Sequence, residues 1–232
     1  MAYWLDTGEE KWKGAGRAAD PAYASPVLLT LDGVKVVVVV TVARVAALNI
    51  ADGRLLWETP FQSGASYNAS SPVADGRAVL CSGPGLGSRA VAFDWKDRSL
   101  TAKSLWTNKE VVCQYSTPVV KGRRVYGLSD RDEWFCLAAD TGKTVWTEPA
   151  PRVVGTSGAK AVRGYGSVVD AGSVLLGLTP AGKLVVFRPT DRGFEEVARY
   201  AVADGGTFAY PVVSGNRVFI KDAYAVALWA VE

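Results

Sequence analysis

The sequence predicts an all-β fold, a β-propeller of about five four-stranded antiparallel blades. Three observations predict it. A phrase with Gly four positions before Trp occurs three times, as DTGEEKW at 6–12, ADGRLLW at 51–57 and DTGKTVW at 140–146. A second phrase accompanies it, as YASPVLL at 23–29, NASSPVA at 68–74, QYSTPVV at 114–120 and FAYPVVS at 208–214, with a degenerate copy, GYGSVVD, at 164–170. Pro26, Pro72 and Pro118 follow one another at 46 residues, and Pro211 comes 93 later, about two periods. A catalytic motif normally occurs once, whereas phrases repeated at such a period are architectural.

The elements follow in order. Ala2–Leu5 matches a third strand and Glu9–Trp12 a fourth. Complete repeats are expected over about 23–61, 67–108, 114–150 and 164–200. The third shows the pattern most clearly: STPVV, a KG turn, RRVYGLS, a polar turn, WFCLAAD, a TG turn, then TVWTE. Short β-rich runs separated by Gly, Asp and Asn are hairpin signals, and four per period of 40–50 residues make a propeller blade. DWKDRSLTAKSLW, residues 94–106, is the nearest thing to a helical pattern and reads as a longer hairpin loop. In the last repeat, 207–232, Ala209–Val213, Arg217–Lys221 and Tyr224–Val231 supply strands one to three. The N-terminal segment 1–13 carries the fourth, so the two ends are expected to pair and hide their edges. Closure within a monomer is the favoured case, and completion by oligomerisation the alternative.

The Trp phrase has a physical reading. Its Gly supplies a positive φ for a tight turn, and its Asp bonds local backbone groups. The Trp, on the outer strand, docks on the neighbouring blade and buries on the order of 200 Å². Trp12, Trp57, Trp106 and Trp146 are assigned this structural role.

Composition removes several functions. The chain of 232 residues carries 26 Lys+Arg against 23 Asp+Glu, net +3, with no basic run, so neither nucleic acid nor an anionic membrane is an expected partner. It has no His, which excludes Ser-His-Asp and Cys-His catalysis. Cys81, Cys113 and Cys136 form no CxxC pair and read as buried, inert thiols on strand positions. The apolar stretch 34–48 contains Lys35 and Arg44 and is β-branched, so it reads as a buried strand pair and not a membrane span. Residues 1–6 show no basic and apolar leader. GPGLGS at 83–88 lacks a phosphate loop's Lys-Ser/Thr ending and following helix, and reads as a flexible hairpin tip. SDRDEW at 129–134 reads as a solvated turn.

The combined pattern S-P-V-x-x-G-x-x-V … L-x-A-x-T-G-K-x-x-W resembles the quinoprotein-type, or pyrroloquinoline quinone (PQQ)-like, propeller repeat. Families with this repeat include quinoprotein alcohol dehydrogenases, the outer-membrane protein assembly lipoprotein, which binds no cofactor, and many bacterial repeat proteins, several from planctomycetes. The resemblance covers nearly the whole chain and implies a periplasmic or exported parent protein. Most relatives have six to eight blades, more than this chain spells out. The dehydrogenases use calcium held by carboxylates and amides, and often a vicinal-Cys disulfide. No vicinal pair or calcium-spaced Asp loop occurs here, so no catalytic residue, metal or cofactor is assigned, and PQQ with calcium is not expected.

The most plausible functional surface is the axial mouth, at the residues before and at the start of each first strand. These are Tyr23 and Ser25, Asn68 and Ser70, Gln114 and Tyr115, Tyr165 and Ser167, and Phe208 and Tyr210. Arg44, Arg131 and Lys221 follow second strands and add positive charge at the rim. Aromatic and hydrogen-bonding side chains in alternation suit a protein, peptide or saccharide ligand. The expected function is therefore a non-catalytic binding or scaffold module. A quinoprotein-like oxidoreductase, whole or in part, is the alternative, and a partial propeller completed by oligomerisation the third reading.

Overall fold

A computed structural model describes residues 1–14, 22–64, 67–151, 165–204 and 206–230. The first residue of the fourth repeat, Gly164, and the end of the last, 231–232, lie outside the described residues. No helix occurs among the described residues; the elements are 21 strands. The chain divides into two compact units, Met1–Lys109 and Glu110–Glu232.

The first unit opens with β1 (Ala2–Tyr3) and β2 (Glu10–Trp12), which pair with each other. Two four-stranded antiparallel sheets follow in chain order. One holds β3 (Val27–Leu31), β4 (Val34–Val40), β5 (Arg44–Asn49) and β6 (Leu55–Pro60); the other holds β7 (Val73–Asp75), β8 (Ala78–Gly83), β9 (Gly87–Lys96) and β10 (Ser99–Asn108). The apolar stretch at 34–48 is indeed a strand pair, with Val36, Val38 and Val40 inward. Between the sheets lies a core of Leu29, Leu31, Val36, Val38, Phe61 and Phe93.

The second unit repeats the arrangement. One sheet holds β11 (Val119–Lys121), β12 (Arg124–Leu128), β13 (Glu133–Ala138) and β14 (Thr144–Pro149), and the next β15 (Ser167–Asp170), β16 (Leu175–Leu178), β17 (Lys183–Phe187) and β18 (Glu196–Ala201). A three-stranded sheet ends the chain, with β19 (Val212–Ser214), β20 (Arg217–Lys221) and β21 (Val226–Ala230). Tyr126, Trp134, Cys136, Leu175 and Phe187 fill the space between the first two sheets; Leu176, Leu178, Val218 and Ile220 fill the next. The core is therefore distributed between successive sheets, as stacked blades require, because each sheet alone leaves an apolar face in water.

One expectation is corrected. Residues 94–106 form no loop: β9 and β10 run on as ten-residue strands joined at Asp97 and Arg98, with φ of 51° and 60°. Two consecutive left-handed residues close a hairpin whose twist matches its strands. β2 pairs with β1 across the Asp6-Thr7-Gly8 turn, with the Gly8 N–H on the Trp4 carbonyl at 2.8 Å, and β21 pairs with β20.

The Trp phrase builds one turn three times. The N–H of Gly8, Gly53 and Gly142 donates to the carbonyl four residues back at 2.8 Å in each, with φ of 71°, 72° and 68°. Trp12 donates its indole N–H to the Ile50 carbonyl of the next sheet at 2.8 Å, and Trp146 to the Thr190 carbonyl at 2.9 Å. Ile50 lies three residues before Gly53, and Thr190 three before Gly193, so the docking site recurs at one place in the following turn. Trp57 meets Phe93 edge-on instead, with ring centres 5.1 Å apart, because the extended β9–β10 hairpin carries its turn elsewhere. Trp106 is buried.

Candidate functional site

In each unit the segment leading into a first strand is pinned by the turn between second and third strands. In the first unit this pin is Asn68, which is fully buried. Its Nδ2 donates to the carbonyls of Thr41, Val42 and Phe61 at 2.8, 3.2 and 3.1 Å. The Tyr23 N–H donates to the Asn68 carbonyl, and its ring, 81% exposed, stands edge-on to Tyr67 at 6.4 Å. The Ser25 N–H donates to Ser71 Oγ at 2.8 Å. Ser70 is buried. Arg44 begins β5 and pairs with Glu58 at 2.6 Å, which neutralises its charge.

The second unit brings more of the predicted residues together. Tyr115 and Tyr165 stack at 4.0 Å with planes 17° apart, and Phe208 packs edge-on to Tyr165 at 5.5 Å. Gln114 Nε2 donates to the Tyr115 hydroxyl at 3.0 Å. Tyr210 Oη accepts the Thr117 backbone N–H, and burial pushes its phenol up. The three packed rings come from the entries to three successive sheets, so they form a ledge with Phe208, 55% exposed, at its edge. Ser167 is buried, and Lys221 donates to the Asp222 carbonyl beside it.

The SDRDEW turn is less solvated than its composition implies. Ser129 and Asp132 are buried, Asp132 at φ 60°, while Arg131 is exposed. The Asp130 N–H donates to the Val112 carbonyl at 2.8 Å, on the segment leading to Gln114. Desolvation raises the Asp130 carboxyl above the usual carboxylate range, against the pull of Arg131. The signal available in the sequence was an Asp flanked by turn residues, which reads as polar surface. GPGLGS does form a hairpin tip, but a packed one: a Cβ on Gly87 would lie 2.2 Å from the Asn108 carbonyl oxygen.

A wide cleft of about 810 Å³ opens elsewhere on the second unit, along Arg123, Arg124, Asp140 and Asp191. Its charges are largely spent on each other, Arg123 with Asp140 at 2.8 Å and Arg124 with Asp191 at 2.6 Å. Cys81, Cys113 and Cys136 form no disulfide, and burial raises their thiols to about 12, 12 and 11. Among the described residues no three Cys, Asp or Glu side chains converge to hold a metal ion.

Repeated four-stranded sheets, interleaved cores and a recurring Trp dock define a β-propeller of PQQ-like repeats. A family model described as outer membrane protein assembly factor BamB matches residues 1–148, and the chain belongs to that family. The crystal structure of BamB from Moraxella catarrhalis superimposes with a TM-score of 0.65 over 97% of this chain at 15% identity. The chain spans 64% of that protein's length. No curated protein matches the sequence.

Proposed function

We propose that this chain is a non-catalytic, protein-binding propeller module, and that it engages its partner through the aromatic ledge of the second unit. The observation that carries this reading is the Tyr115–Tyr165–Phe208 series, three rings from three successive sheet entries, with hydrogen-bonding groups of Gln114 and Tyr210 beside it. Rings held by one another lose little conformational freedom on binding, and each offers a large amphipathic surface, which is why aromatic residues dominate binding hot spots. The family name speaks of outer membrane protein assembly, and a protein partner agrees with it.

The test starts from peptides selected against the full chain from a displayed library. Phe208→Ser, exposed at the edge of the ledge, should weaken their binding at least tenfold and leave the melting temperature unchanged. Equal affinity in the variant would remove the ledge from the reading. A saturable Trp quench by PQQ with calcium, accompanied by dye-linked alcohol oxidation, would replace the binding role with an oxidoreductase.

A further inference from the structure

The turn glycines between first and second strands give a common frame. Five residues after Gly33, Gly76, Gly122, Gly172 and Gly215 come Val38, Cys81, Gly127, Gly177 and Ile220. Their partners on the third strands are Ala47, Arg89, Phe135, Val185 and Ala227. Four of the five are apolar, and Ala47, Phe135 and Val185 are fully buried. Arg89 alone puts a charge at this position.

Arg89 lies against a cavity of about 30 Å³ in the first unit, walled mainly by Trp57, Phe61, Val79, Cys81 and Phe93, with Thr59 as its one other polar side chain among the described residues. Its guanidinium sits over the Phe61 ring, 5.5 Å from the centroid. Its Nε–H is buried and has no hydrogen-bond partner among the described residues. Among the described residues no carboxylate lines the cavity. Cys81, opposite Arg89 in the sheet, offers no counter-charge either, because burial holds it as a neutral thiol. A cationic N–H left unpaired in an apolar wall is costly, and a bound dipole satisfies the hydrogen bond but not the charge. The cavity is large enough for one water-sized species.

We infer that the Arg89 cavity is a binding site for a small, weakly hydrated monovalent anion of the halide class, held on Nε between Trp57, Phe61 and Phe93. A monatomic anion supplies both the acceptor and the charge. Chloride and bromide shed their hydration more cheaply than fluoride, so the apolar walls select them. A divalent oxyanion is too large for the space and is penalised more by the walls.

The experiment is a thermal melt of the full chain in sodium fluoride, chloride and bromide at one ionic strength, with bromide soaked into crystals for anomalous scattering. Chloride and bromide should raise the melting temperature saturably over fluoride, by about 3 °C at a concentration tenfold above the dissociation constant. Arg89→Met, which keeps the volume and the apolar contacts, should abolish the shift. Arg89→Gln, which keeps a donor without the charge, should abolish it too and serves if the Met variant does not fold. The anomalous peak should lie at Arg89 Nε. A wild type indifferent to the anion, the same shift in both proteins, or a cavity holding only water in bromide crystals would each overturn the inference.

Discussion

Gly177 shows how narrowly one residue is fixed. It sits in β16 where a Cβ would come within 2.5 Å of the Trp134 ring, which belongs to the preceding sheet and is 1% exposed. Trp134 in turn packs on Phe187 at 5.8 Å, so the ring has nowhere to retreat. Gly177→Ala should lower stability by about 1–3 kcal/mol, the ordinary cost of overpacking a close-packed core. Urea unfolding checks it. Trp134→Leu in the same chain should recover part of that loss, a coupling that a double-mutant cycle reads directly; strictly additive effects would show that the two residues do not compete for the space. The sequence does not disclose this contact. A Gly within a strand reads as a weak point, and Trp134 reads as the end of a solvated turn, because each is fixed by the other, 43 residues away in the chain.

At the scale of the element, the outer strand and the turn it caps were the most legible parts. Gly, Asp and Trp at fixed spacing state the turn, the local bonds and the dock together, and β14 lies where TVWTE places it. The chemistry of the dock differs between copies, and that difference is testable. Trp146→Phe loses the hydrogen bond to the Thr190 carbonyl and should cost about 1 kcal/mol beyond the lost area. Trp57→Phe keeps its edge contact with Phe93 and gives up no indole bond among the described residues, so it should cost less. Equal costs by denaturant midpoint would mean that the indole N–H contributes nothing. The long β9–β10 hairpin was illegible because Arg98 fills the second left-handed position, where Gly usually marks such a turn. The mouth residues were legible as a set but not one by one. Whether a linker side chain faces out, as Phe208 does, or in, as Asn68 does, depends on carbonyls of another sheet's turn, which the linker's own residues do not encode.

For the whole molecule, the buried thiols shape stability against pH. Cys81 and Cys113 are raised to about 12 when folded, from an ordinary value near 9.0. The folded chain keeps these protons while the unfolded chain releases them. The stabilisation is therefore complete below pH 9 and is lost as pH rises from about 9 towards 12, at up to about 1.4 kcal/mol per pH unit for each thiol. Denaturant midpoints between pH 8 and 11 should fall along this slope, and Cys81→Ala should flatten it. An unchanged slope in that variant would mean that other groups carry the dependence.

The Trp dock also sets an order of events during synthesis. Trp12 receives its carbonyl acceptor from a residue 38 positions later, and Trp146 from one 44 positions later. An outer strand leaving the ribosome therefore waits for most of the next repeat before its indole is bonded. At 5–20 residues per second that interval is about 2–9 s. Throughout it, the newest sheet presents an unfilled ring to the cell, and each nascent blade is released from that exposure only by its successor.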